Sequence, residues 1–172
     1  LIAETGGINA MIVDSSALLE QATDDIVRSA FDSAGQRCSA LRVLCIQDDI
    51  YDDLLEMVKG NMRELKIGNP EELDADIGPI INKVAKNKLD TYIKNKAKSG
   101  LQVYQSNTKT IEQYISPTVI EINTLSDLDE EQFGPILHVL KFKSSEIFSI
   151  VGRVAIFCSI LMNSFFYSFH KK

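Results

Sequence analysis

The sequence predicts an α/β architecture in which a largely parallel sheet is flanked by helices. Two observations carry that expectation: short apolar runs of strand length alternate with longer segments of helical period, and clusters of Gly, Pro and Ser punctuate the changes between them. A third is size. The 172 residues, 45% hydrophobic and 24% charged, suffice for one domain with a substantial core and carry no signature of disorder.

Residues 8–13 read as a short buried strand. Asp14, Ser15 and Ser16 then supply N-cap chemistry for a helix that sets Leu18, Leu19, Ala22, Ile26, Val27 and Ala30 at helical spacing. Gly35 ends that helix, which leaves Cys38 in a tight connection before a second strand at 41–46, a place from which a side chain can reach a cleft. Over 48–65 the apolar residues Ile50, Leu54, Met57, Val58, Met62 and Leu65 keep the period of an amphipathic helix that stops before Gly68-Asn69-Pro70. Another helix is expected over 82–98, closed by Ser99 and Gly100. Its lysines fall between Ala85, Leu89, Tyr92 and Ile93, as on a solvated face. Strands follow at 101–105, 117–122 and 136–142, with the acidic 127–131 as a short helical or looped link. No internal repeat is visible.

Charge and rare residues narrow the function classes. A formal net charge of −6 argues against a nucleic-acid surface, because phosphate binding needs clustered Lys and Arg. Cys38, Cys45 and Cys158 are odd in number, without paired spacing and without a signal peptide ahead of them, which fits a reducing cytoplasm. His138 and His170 stand at no familiar zinc-ligand spacing from these cysteines, so no metal is expected. His138 lies in an apolar run and reads as a packed strand residue; Cys45 reads as a small buried hydrophobe.

Two blocks carry chemistry. Ala3-Glu4-Thr5-Gly6-Gly7-Ile8-Asn9-Ala10 offers a carboxylate beside a double glycine, and Phe31-Asp32-Ser33-Ala34-Gly35-Gln36-Arg37-Cys38-Ser39-Ala40 offers a thiol with a cationic neighbour. A thiol nucleophile must act as thiolate, and Arg37 can favour that form or instead face a substrate carboxylate. Glu4 is a candidate general base. The double glycine is not the GxGxxG of a dinucleotide fold.

Both blocks, with the spacing between them, resemble the active-site signatures of the NAD(P)-dependent aldehyde dehydrogenase superfamily. Within it, Ala3-Glu4-Thr5-Gly6-Gly7 followed by Gly35-Gln36-Arg37-Cys38-Ser39-Ala40-Leu41-Arg42-Val43-Leu44 looks like the pyrroline-5-carboxylate (glutamate semialdehyde) dehydrogenase part of proline utilization A, and the similarity includes Gly68-Asn69-Pro70, Gly78-Pro79, Ser116-Pro117-Thr118 and Glu131-Gln132-Phe133-Gly134-Pro135. Ile8 departs from the pattern, where a polar residue is expected. The resemblance implies that Cys38 attacks the aldehyde, that Glu4 activates the hydrolytic water, and that the Cys38 backbone N–H serves as one oxyanion donor. It implies that Glu131 accepts hydrogen bonds from ribose hydroxyls of NAD, that Phe133 packs near the nicotinamide, and that Gly6 and Gly7 let backbone approach the ring. Arg37 and Ser39 would contact the carboxylate of glutamate semialdehyde. Asn9 would help hold the turn. The fold implied is an incomplete aldehyde dehydrogenase catalytic domain.

The family pattern covers 1–150 and not the apolar tail at 151–172, where acidic residues vanish and Phe and Ser accumulate. A shifted reading frame accounts for such a tail better than a membrane anchor, since 154–169 is shorter than a spanning helix and contains Asn163. In the family the NAD-binding domain precedes the glutamate block. The first expectation is therefore a partial catalytic domain, inactive alone. The alternatives are a non-catalytic or membrane-anchored partner completing a separately encoded NAD-binding half, and a cysteine hydrolase using Cys38.

Overall fold

The computed structural model describes residues 7–106, 113–128 and 130–160. Five strands, β1 (Asn9–Val13), β2 (Leu41–Gln47), β3 (Gln102–Gln105), β4 (Thr118–Ile122) and β5 (Ile136–Phe142), form one sheet in the order β1-β2-β5-β4-β3. The pairs β1/β2, β2/β5 and β4/β5 are parallel, and only β3 runs antiparallel, against β4. The sheet is thus largely parallel and flanked by helices, as the alternation of elements predicts.

β2 is buried along its whole length. That is what a strand covered on both faces requires of its residues. Helices α1 (Leu19–Phe31) and α2 (Tyr51–Glu64) pack on each other and on β2. α1 turns Ala22, Ile26, Val27 and Ala30 inward, and α2 turns Leu54, Leu55, Val58 and Met62. α3 (Lys83–Lys98) buries only Leu89 and Ile93; Lys83, Lys88, Lys94 and Lys98 are exposed as expected of a solvated face, while Lys86 and Lys96 are half-buried. Its N-cap is Asn82, whose side chain accepts from the Ala85 N–H at 2.8 Å.

Two local expectations change. The Asp14 carboxylate closes a turn, accepting from the Ser16 N–H at 2.9 Å, and α1 starts only at Leu19 with Leu18 as an N-cap that makes no side-chain bond. The residues after Phe142 form a helix, α4 (Ile147–Ile160), which buries Ile150 and Val154 and contacts β1. Phe148 and Val151 stay exposed, so apolar residues lie on more than one side and hide the helical period. Among the described residues no helix is long and apolar enough to cross a membrane. Residues 161–172 lie outside the described part.

Candidate active site

Three adjacent parallel strands begin side by side, because β1, β2 and β5 are neighbours in the sheet. Gly7 lies just before β1, Cys38 just before β2, and Glu131 to Phe133 just before β5. The chemistry-bearing segments therefore converge at the starts of the strands. Open α/β sheets more often place ligands at the carboxyl ends.

The turn that delivers Cys38 is built from left-handed backbone. Ser33, Ala34 and Gly35 have φ of 57°, 53° and 62° in succession. Such geometry costs an L-residue on the order of 1–2 kcal/mol, so surrounding contacts must hold it. Gln36 supplies two: its amide nitrogen donates to the Pro79 carbonyl at 3.0 Å, and its side-chain oxygen accepts from the Ile81 N–H at 2.9 Å. The Gly78-Pro79 block of the sequence is thereby tied to the cysteine block. Beyond the turn, Asn9 Nδ2 donates to the carbonyls of Cys38 at 2.7 Å and Ala40 at 3.0 Å, which fixes the backbone on both sides of Ser39. Asn9 does hold the turn.

Arg37, Cys38 and Ser39 are all exposed. The Arg37 guanidinium reaches back to the carbonyl of Arg28 in the last turn of α1, at 3.5 Å. Cys45 is buried in β2. Glu4 and Gly6 lie outside the described residues.

Gly7 and Glu131 meet directly: the Gly7 N–H donates to Glu131 Oε2 at 2.6 Å. The other carboxylate oxygen accepts from Arg42, from Nε at 3.3 Å and from a terminal nitrogen at 3.2 Å. Arg42 stands inside the motif stretch, and motif reading gives it no role. It is 1% exposed, and its remaining bonds go to the carbonyls of Gly134 at 3.2 Å and Arg37 at 3.0 Å. Burial pulls the guanidinium below the usual arginine range, and the Glu131 carboxylate opposes that by both charge and hydrogen bond. A lone Arg in an apolar strand segment is itself a signal, because a buried charge must find partners. Strand pairing helps to aim it. The register steps from Asn9 opposite Leu41 to Ala10 opposite Val43, so Arg42 is the extra, unpaired residue of a bulge.

Phe133 is 40% exposed, with the Arg42 guanidinium carbon 5.3 Å from its ring centroid. One edge of the molecule thus carries an exposed thiol, a half-exposed aromatic ring and an anchored carboxylate. These groups suit the nicotinamide and ribose end of a dinucleotide; among the described residues no glycine-rich turn after a strand offers a cradle for its phosphates. His138 is elsewhere. It is buried on β5 with Nδ1 at 3.1 Å from the Arg42 carbonyl and Nε2 at 2.9 Å from the Tyr92 hydroxyl. Both ring nitrogens are engaged, so His138 is a packed strand residue and no base for Cys38.

A family model described as "Aldehyde dehydrogenase family" matches residues 1–151. The bifunctional protein PutA of Escherichia coli (strain K12) is 46% identical over 162 residues, which cover 90% of this chain and 12% of PutA. The 1-pyrroline-5-carboxylate dehydrogenase of Anoxybacillus flavithermus is 38% identical over 171 residues, covering 90% of this chain and 32% of that protein. Among solved structures, proline utilization A with proline bound in remote sites superposes with a TM-score of 0.85 at 43% identity, over 90% of this chain and 16% of that one. An NAD-dependent aldehyde dehydrogenase from Sinorhizobium meliloti gives 0.78 at 28% identity, over 88% and 31%. The chain spans well under half the length of each.

Proposed function

The chain belongs to the aldehyde dehydrogenase family, and from that premise we propose that it is part of the catalytic domain of a glutamate semialdehyde (pyrroline-5-carboxylate) dehydrogenase of proline catabolism. The observation that carries this reading is the exposed Cys38, held on a tied loop at the edge that also presents Glu131 and Phe133.

The Cys38 thiolate adds to the aldehyde carbon, and the Cys38 backbone N–H donates to the oxygen on which negative charge develops. Arg37 and Ser39, exposed on either side, receive the substrate carboxylate. NAD, when bound, would supply the hydride acceptor for oxidation of the Cys38 adduct to a thioester; Glu131 would hold its ribose hydroxyls, Phe133 would lie by the nicotinamide, and Gly6 and Gly7 would allow close backbone approach. Glu4 takes a proton from the water that attacks the thioester carbon, which releases glutamate and returns the thiol. An exposed thiol of this kind suits a reducing, cytoplasmic setting.

As part of a catalytic domain that spans well under half the length of its relatives, the chain is expected to be inactive alone in NAD reduction. The test is the absorbance of NADH with glutamate semialdehyde, for the chain alone and with a separately expressed NAD-binding half. Turnover by the chain alone overturns the inactivity; turnover that survives Cys38→Ala overturns the nucleophile.

A second reading, a non-catalytic partner completing a separately encoded NAD-binding half, is favoured by Ile81 and Val84, both 80% exposed beside the segment tied to Gln36. Co-purification with such a half, with turnover indifferent to Cys38→Ala, would select it.

A further inference from the structure

We propose that Arg42 is a positioning residue that couples the Cys38 loop to the Glu131 carboxylate, so that nucleophile and cofactor-side acid are set relative to one another through one buried guanidinium. The roles of Cys38 and Glu131 rest on the function proposed above; the coupling rests on geometry.

Arg42 bonds to three places: the carbonyl of Arg37, adjacent to the nucleophile, the carboxylate of Glu131, and the carbonyl of Gly134. A guanidinium is planar and its five N–H directions are fixed, so its three acceptors are held at set angles to each other. An ammonium on a flexible stem imposes no such relation. The network continues on both sides. Glu131 Oε2 receives the Gly7 N–H, and the Arg42 guanidinium carbon lies over Phe133. Displacing the carboxylate therefore disturbs the guanidinium, and the disturbance reaches Arg37 and so the thiol loop. The side chains of the pair are 2% and 9% exposed, so water cannot replace the lost partners cheaply. The bulge that leaves Arg42 out of the ladder between β1 and β2 frees it for this position.

The test uses the full chain and two readouts that need no turnover: the rate of Cys38 alkylation by iodoacetamide and the hydrogen exchange of the Gly7 amide. Arg42→Met is expected to speed Gly7 exchange by about tenfold, the loss of a local opening barrier, and to change the Cys38 rate by about threefold or more, as for residues in one network. Arg42→Lys, which keeps the charge without the fork, does not rescue either. Glu131→Gln changes the Cys38 rate, and that effect disappears in the Arg42→Met/Glu131→Gln double variant. The double variant removes both charges, so it remains the folded reporter should Arg42→Met unfold. In that event an unchanged Cys38 rate in the double overturns the proposal. Val58→Ala on α2 serves as a control that lowers Tm and leaves both readouts alone.

Equal Cys38 rates in all variants overturn the coupling, as does a Glu131→Gln effect that persists without Arg42. Failure of the underlying nucleophile reading looks different. Cys38 would then react no faster than in the unfolded chain, while Gly7 exchange still responded to Arg42.

Discussion

Gly35 and Gly134 meet backbone to backbone: a Cβ placed on Gly35 would stand 2.1 Å from the Gly134 carbonyl oxygen. Gly35 also has φ of +62°, so Gly35→Ala adds left-handed strain to a backbone overlap that no rotamer relieves. We expect a loss of about 3 kcal/mol or more in urea unfolding, as for overpacking combined with strain. Ser33→Gly should act the other way. Ser33 is exposed with φ of 57°, and relief of its strain less the added freedom of glycine in the unfolded chain leaves a gain of about 0.5–1 kcal/mol. An unchanged midpoint for Gly35→Ala would mean that the two segments are not in contact.

Asn9→Ala removes the donor that holds the carbonyls of Cys38 and Ala40. Asn9 is buried, so the Ala40 carbonyl loses a partner that water does not replace, at a cost of about 1–3 kcal/mol. Asn9→Asp is expected to be worse, since it sets a carboxylate oxygen against two carbonyls. Thermal unfolding ranks the pair, and Cys38 alkylation should shift severalfold in both.

Tyr51 predicts a pH dependence. Its hydroxyl donates to Glu121 at 2.9 Å, and burial first, then the bond to Glu121 and its charge, push the phenol well above the ordinary tyrosine range. The neutral phenol is thus favoured in the folded state. Its contribution is full below the unfolded tyrosine pKa of about 10 and is lost as pH rises from there through the raised folded value, because the unfolded chain binds fewer protons. Tyr51→Phe should cost about 1.5–3 kcal/mol near neutral pH, as for a hydrogen bond to a charged acceptor. Its deficit against wild type should shrink at about pH 11. Urea midpoints for both proteins at the two pH values measure this, and a deficit independent of pH would refute it.

Asn82→Ala should destabilise by about 1 kcal/mol through loss of the α3 N-cap. Asn82→Gly should cost only a few tenths. Circular dichroism melts of the two variants settle the order.

What the sequence made legible follows the strength of local signals. β5 was bounded by its apolar run, and α3 by an Asn before it and Ser-Gly after it, so both elements fall where expected. The start of α1 was not legible. Asp14 and Ser16 can cap a helix or close a turn, and in the fold they close a turn ahead of α1. α4 escaped because a helix apolar on several sides has no period to read. Cys38, Phe133 and Glu131, which the motifs single out, lie along one edge. Arg42 stands within the motif stretch but draws no role from it, because its partners Glu131 and Gly134 are remote in sequence and no local pattern announces them.

The unpaired position of Arg42 between β1 and β2 bears on transplantation. Along a regular strand successive side chains alternate between faces, so copying the loop before β2 onto another parallel sheet would carry the thiol but not the extra residue. Deleting one residue from β2 near Arg42 would have the same result within this chain: strands could still pair, while the guanidinium went to a different address. The smallest portable unit of this site is therefore the cysteine loop together with the irregularity that follows it.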